Sequence, residues 1–302
     1  MMKKLLFLLG TFLIKVPTQA CDMCGCANSG SYFGLMPQSH MSMIGLRYSH
    51  LNFETHPTSL YSRTQETFRI TELYGRFYPA KRVQAMVFLP YRLDEQVVEG
   101  GTKKQRGLGD ATLLVNYNLL NTFMDSEEPR RINHSLQLGG GVKVPTGRFR
   151  YDENDPLAVA NANFQPGTGS TDFIMNAFYT LTAGKWGTLL TASHKLNTTN
   201  VRGYRFGNQI YGSVDVYRTF TRGTLSVMPH LGLYAEHSAY GKQNGRTIHE
   251  SGGDLLNGTA GISLFANRWT AGVSYQKPLA QNLSDGEVVS KARTLVQVAW
   301  LF

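Results

Sequence analysis

Apolar and polar residues alternate through most of the chain. Over 111–119, Ala111, Leu113, Val115, Tyr117 and Leu119 fall on one face, and Thr112, Asn116 and Asn118 on the other; Leu114 breaks the pattern. Over 135–144, Leu136, Leu138, Val142 and Val144 oppose Ser135, Gln137 and Lys143. A period of two is that of a strand with one apolar face. Twelve strands are expected, near 41–53, 66–78, 83–93, 108–120, 131–145, 171–183, 187–197, 209–220, 224–237, 255–266, 269–278 and 292–302. No segment after residue 20 carries a convincing helical period.

The connections alternate in length. Asp94–Gly107, Thr146–Ser170 and Ser238–Asp254 are long and polar, whereas Pro79–Arg82, Gly184–Trp186, Thr221–Gly223 and Asn267–Arg268 are short; Asn121–Arg130 is the exception. Short turns at one end and long loops at the other, with an even strand number, are the layout of an outer-membrane barrel. In lipid no water pairs an open sheet edge, so the sheet closes on itself and turns its apolar face outward. The last strand fits this, with Thr294, Val296, Val298, Trp300 and Phe302 on one face. An apolar strand ending in Phe302 resembles the signal read by the machinery that inserts bacterial outer-membrane barrels. The expected fold is therefore all-β, a transmembrane antiparallel β-barrel of about twelve strands over 41–302.

The N-terminus reads as a secretory signal over 1–20, with Lys3 and Lys4 ahead of the ten-residue apolar stretch Leu5–Ile14 and Ala20 before the expected cut. Its removal takes three lysines and lowers the net charge from +9 to +6. That moderate basic balance gives no reason to expect a nucleic-acid partner. Only 17% of residues are charged, against about 25% in ordinary domains. The aromatic share of 11% argues against disorder. Tyr48, Phe53, Tyr78, Phe88, Tyr91, Tyr117, Trp186, Phe220, Trp269, Trp300 and Phe302 lie mostly near expected strand ends, where ring side chains favour the lipid headgroup level; some could instead line an apolar path.

All three cysteines, Cys21, Cys24 and Cys26, sit in the segment 21–40 between signal and barrel, expected to be periplasmic. Three thiolates in a C-x-x-C-x-C run suit a soft metal ion, with Met23 or His40 as a further ligand. A disulfide between two of them and lipidation of Cys21 are the alternatives. Strand parity turns Arg47, Asn116, Gln137, Lys143, Asp215 and His230 toward the lumen, where charges tune selectivity or simply meet water. His134-Ser135 and His237-Ser238 do not make a hydrolytic pair, because neighbours on a strand point to opposite faces. His40-Met41-Ser42 has the needed spacing without a partner, so an enzyme is not expected.

Three blocks, Arg106-Gly107-Leu108-Gly109-Asp110, Val142-Lys143-Val144-Pro145-Thr146-Gly147 and Gln165-Pro166-Gly167-Thr168-Gly169-Ser170, resemble in order and spacing those of the MetA-like family of the meta-pathway of phenol degradation. The cysteine head, followed by Phe33-Gly34-Leu35-Met36-Pro37-Gln38, resembles a Bacteroidetes-type subgroup. The resemblance is strongest over 106–180. It implies an outer-membrane transporter similar in architecture to long-chain fatty-acid channels, in a Gram-negative bacterium. The function so implied is passive passage of a small hydrophobic or aromatic molecule. A metal-handling or redox-linked barrel using the cysteines, or a structural barrel, are the other readings. Mechanically, Pro145 should end its strand, since proline cannot donate to a central ladder. The loop from Thr146 to Ser170 either folds inward or lies on the surface, with Tyr151, Leu157 and Phe164 as its apolar anchors.

Overall fold

The structure is a computed structural model that describes residues 41–59, 63–98, 100–125, 131–150, 162–249 and 251–302. Twelve antiparallel strands close into one barrel: β1 (Met43–Thr55), β2 (Thr64–Ala80), β3 (Val83–Val98), β4 (Ala111–Asn121), β5 (Ile132–Val144), β6 (Asp172–Ala183), β7 (Trp186–Leu196), β8 (Gln209–Arg218), β9 (Leu225–Ser238), β10 (Gly253–Ala266), β11 (Trp269–Leu283) and β12 (Arg293–Leu301). Each pairs with the next, and β12 returns to β1 through Met43↔Leu301 to His50↔Thr294. Every strand therefore has two hydrogen-bonded neighbours, which is what a lipid-facing backbone requires. All twelve expected strands are present. The chief differences are extensions beyond one end: β3 runs on to Val98 and pairs there with Gly101–Leu108, so much of the expected Asp94–Gly107 loop is a β-hairpin.

Side chains alternate as the period of two dictates. Ile44, Leu46, Leu113, Val115, Val214, Val216, Leu231, Leu233, Val296 and Val298 are exposed on the outer face. Further along β1 the outer face turns polar at His50, Asn52 and Glu54, opposite Arg69, Thr67 and Gln65 of β2. This change marks the rim of the apolar belt on the long-loop side. At the short-turn side Trp186, Phe220, Trp269, Trp300 and Phe302 are exposed, with Trp269 opposite Trp300 and the Trp300 and Phe302 rings stacked 5.1 Å apart. Aromatic girdles of this kind sit at the headgroup level. Phe53 and Phe88 do not join them. Both are buried inside the barrel, because their parity on β1 and β3 matches the inner face.

The short turns carry the backbone chemistry they need. Gly184, between β6 and β7, has φ +58°, and Asn267, between β10 and β11, has φ +52°. Two-residue hairpins favour such left-handed positions because their twist matches that of the strands. The Asn121–Arg130 connection, long for its side, starts with one helical turn, Thr122–Asp125, whose Phe123 and Met124 amides donate to Asn121 Oδ1 at 3.1 and 3.3 Å. On the opposite side Tyr204–Arg205, Gly241–Gln243 and Arg246–Ile248 form a separate three-stranded sheet above the barrel.

An arginine at Val115 would set a charge in the apolar belt. Val115→Arg should destabilise the barrel folded into vesicles by about 2–4 kcal/mol if the residue sits near the bilayer midplane. Denaturant titration of refolding would measure this. An unchanged midpoint would mean that the outer face of β4 does not meet lipid.

Candidate functional site: the barrel interior and its inserted loop

The inner face carries the six residues expected there. Arg47 lies on β1, Asn116 on β4, Gln137 and Lys143 on β5, Asp215 on β8 and His230 on β9, and all are buried. Arg47 forms an ion pair with Glu72 across β1 and β2, and its guanidinium lies 5.7 and 5.5 Å from the ring centroids of Tyr74 and Phe88. Asn116 donates to Gln84 Oε1 at 3.2 Å and accepts from Asn176. Asp215 accepts from Ser213 Oγ at 2.9 Å, and His230 Nε2 shares a hydrogen bond of 3.2 Å with Ser274.

The interior holds more charge than these six. Among the described residues, Arg47, Arg76, Arg92, Lys143, Lys195 and Arg293 are buried, as are Glu66, Glu72, Asp94, Asp110, Asp172, Asp215 and Glu236. The two signs nearly balance. Arg92 lies 2.7 Å from Asp94, and Arg293 3.9 Å from Glu236, which also accepts from Tyr234 Oη at 3.0 Å. Parity extended over the full lengths of β2, β3, β6, β7, β9 and β12 would have found all of the added ones but Asp110, which precedes β4. Asp94, Gln96 and Glu66 fall in strand ends that a reading of 83–93 and 66–78 cuts short or leaves at the margin.

One cluster ties three separate chain segments together. Lys143 Nζ donates to Asp110 Oδ2 at 2.6 Å and lies 2.8 Å from Asp172 Oδ2. It also donates to Thr168 Oγ1, and to the Ser170 carbonyl at 3.3 Å. Asp110 Oδ2 accepts in addition from the Thr168 amide (2.9 Å) and hydroxyl (2.7 Å), while its Oδ1 accepts from the Gly147 amide (3.0 Å). Asp172 Oδ1 accepts from Ser170 Oγ and the Thr198 amide, both at 2.9 Å. Gly147 and Gly167 meet backbone to backbone: a Cβ on Gly147 would come within 2.6 Å of Gly167 Cα, and one on Gly167 within 2.6 Å of Asp110 Oδ1. Side chains at either position would push the segments apart. Thr146 completes the clasp by donating to the Gly109 carbonyl at 2.7 Å and accepting from the Ala111 amide at 2.8 Å. The residues Gly109-Asp110, Lys143 to Gly147 and Gly167 to Ser170 thus form one latch.

The latch holds a loop inside the barrel. Ala162 to Thr168 are all buried, so this part of the Thr146–Ser170 loop folds inward. Tyr151 and Leu157 lie outside the described residues. Phe164 is fully buried and packs on Phe68, with ring centroids 6.3 Å apart; Phe68 meets Phe53 edge-on at 5.8 Å. Leu51, Leu255, Leu283 and Val288 complete this apolar cluster on the long-loop side. A second cluster, including Met43, Tyr74, Met86, Phe88, Leu114, Ile174 and Phe178, lines the interior toward the termini. Leu114, the exception to its strand's polar face, belongs here. On β1 and β2 the Arg47–Glu72 pair separates the two clusters.

Cys21, Cys24 and Cys26 lie outside the described residues. Among the described residues no group of three or more His, Cys, Asp or Glu side chains is placed to hold a metal ion. With the geometry in view, comparison with solved structures gives the barrel its setting. An outer-membrane channel from Pseudomonas putida F1 superposes with a TM-score of 0.63 at 14% identity, over 91% of this chain and 99% of that one. The β-domain of the Bordetella autotransporter BrkA gives 0.49 at 12% identity, over 87% and 100%. At such identities the likeness is one of fold, a closed barrel of the Gram-negative outer membrane. No protein-family model and no curated protein matches the chain.

Removing the cation from the latch should free the loop. Lys143→Met leaves Asp110 and Asp172 buried without it, and breaking one side of a buried pair costs about 3–5 kcal/mol. Trypsin added outside vesicles should then cut after Arg148 or Arg150 faster than in the parent protein, with the barrel intact. Equal cutting rates would show that Lys143 does not restrain the loop.

Proposed function

We propose that this protein is a passive outer-membrane channel for a small, uncharged molecule of hydrophobic or aromatic character. The observation that carries this is the run of apolar clusters on the inner face, the two largest separated on β1 and β2 by the Arg47–Glu72 pair and the one on the long-loop side closed by a loop phenylalanine. Buried charges of nearly balanced sign, with Arg47, Arg92, Lys143 and Arg293 in ion pairs, supply little net field that would concentrate ions. Apolar side chains on the inner face give a hydrophobic solute somewhere to bind on its way through, and several weak sites favour conduction over trapping. The lumen roles of Arg47, Asn116, Gln137, Lys143, Asp215 and His230 belong to the same reading: they set the width and polarity of the path. The resemblance to the MetA-like family supports it, since the three blocks that carry the likeness are the three that build the latch. Insertion by the barrel-assembly machinery through the strand that ends at Phe302 is part of the proposal. So is a soft metal ion on Cys21, Cys24 and Cys26, which the C-x-x-C-x-C spacing supports. Metal analysis with and without residues 21–26 tests the latter, and unchanged metal content would remove it.

Entry of N-phenyl-1-naphthylamine, a hydrophobic dye that an intact outer leaflet excludes, tests the channel. A Gram-negative host producing the protein should take up the dye faster than one carrying an empty vector, and Phe164→Ala should speed uptake further. A folded barrel that gives neither dye uptake nor conductance in a planar bilayer would overturn transport.

A further inference from the structure

We propose that the slot now filled by Phe164 is the docking site for a planar ring on the transported molecule, and that Phe164 is its built-in competitor. The inference rests on the channel reading and adds a site, a ligand class and a means of opening. The barrel makes the slot and the loop supplies the occupant. Leu51 and Phe53 come from β1, Phe68 from β2, Leu255 from β10 and Leu283 from β11, with Val288 beside them. These strands are hydrogen-bonded into the wall, so the slot persists when the loop leaves. Phe164 comes from the loop and lies outside those strands. Its neighbours along the chain hold it there: Gln165 Oε1 accepts from the Arg150 amide at 3.1 Å, Ala162 packs with Tyr204 and Phe206, and Gly167 and Thr168, three and four residues on, are held by Gly147, Asp110 and Lys143.

The slot selects for a flat ring. Phe53 and Phe68 stand edge-on, and each carries a cation over its ring, Arg293 5.8 Å from the Phe53 centroid and Arg92 5.2 Å from that of Phe68. Those guanidiniums are held in turn by Glu236 and Asp94. The ring pair is thus held by cations, and Phe164 packs against Phe68 tilted by 56°, within the separation of an aromatic pair. A saturated ring of similar size fills the space but forfeits this geometry.

A tethered side chain competes at an effective concentration on the order of millimolar for a short flexible linkage. A free ring must therefore reach that range to displace it, and a ligand that binds only the displaced state raises that state's population in proportion to its concentration. An aromatic solute thereby opens its own path, while in its absence the slot stays closed by Phe164.

Ala162, two residues from Phe164 and fully buried beside Tyr204 and Phe206, reports withdrawal of the segment that carries the ring. The protein with Cys21, Cys24 and Cys26 changed to serine and Ala162→Cys is placed in vesicles. It is then treated from outside with a charged methanethiosulfonate. Benzyl alcohol should accelerate modification about tenfold at roughly ten times its dissociation constant, and the effect should saturate. Cyclohexylmethanol, of similar size but not flat, should do much less. Adding Phe164→Ala should make modification fast without ligand and insensitive to benzyl alcohol. Asn163→Cys, also buried, provides a second reporter if Ala162→Cys does not fold. Unchanged rates with benzyl alcohol, or equal acceleration by both alcohols, would overturn the proposal. Dye uptake by the same protein separates the cases: uptake with no response to benzyl alcohol removes the ring site and leaves the channel. Loss of both uptake and conductance removes the channel itself.

Discussion

The interaction on which the interior depends is the contact of Lys143 with Asp110 and Asp172. It joins the start of β4, the end of β5 and the start of β6, which are already neighbours in the sheet. Strand pairing alone would set those ends side by side and leave the long connection between β5 and β6 free to swing outward. The lysine changes that by recruiting Thr168 and the Ser170 carbonyl from the far end of the loop. Asp110 also accepts from two backbone amides and a hydroxyl, and Asp172 Oδ1 from one of each, and such added hydrogen bonds are the condition under which buried charge is tolerated. The two glycines then permit the backbones to touch. A latch of this kind specifies where the loop goes more than it adds to the stability of the barrel wall.

The wall has a different origin. Its constraint is that every backbone donor and acceptor in the bilayer finds a partner within the sheet. Closure from β12 to β1 meets it, and the outer face then needs only apolar side chains at alternate positions. A mean hydropathy of -0.24 is compatible with a membrane protein for this reason: averaging over both faces hides the outer one. The inner face is free to hold polar groups, and in this barrel Arg47, Arg92, Lys143 and Arg293 are held there in ion pairs.

The twelve strands, the two ends and the lumen-facing parity were legible in the sequence because each rests on a local period. Leu114, Phe53 and Phe88 show the limit. Parity puts all three inside, yet the habit of assigning rings near strand ends to the membrane interface places Phe53 and Phe88 outside. The latch was visible only as three blocks. Nothing local tells Asp110 that Lys143 and Asp172 will meet it, because the meeting follows from the register of three strands. The inward fold of 162–168 was open for the same reason. Buried neighbours such as Phe68 and Leu283 lie far away in sequence, and only closure of the barrel brings them within reach of Phe164.

Latch and slot together define what opening requires. The ion cluster is anchored at Thr168 and the ring at Phe164, four residues apart, and Ala162 and Gln165 are held as well, against Tyr204 and Phe206 and by the Arg150 amide. Releasing the ring leaves the ion cluster intact if the short stretch between them bends, and no buried charge then needs to be exposed. Exposing Lys143 or either carboxylate would cost several kcal/mol, on the order of a buried pair's rupture, whereas exchanging one apolar ring for another in the same slot is close to neutral. Opening through the slot is the cheaper path, and it is also the selective one, because only a molecule able to replace the ring lowers its cost. In this barrel the barrier to the solute and the filter for it are the same side chain.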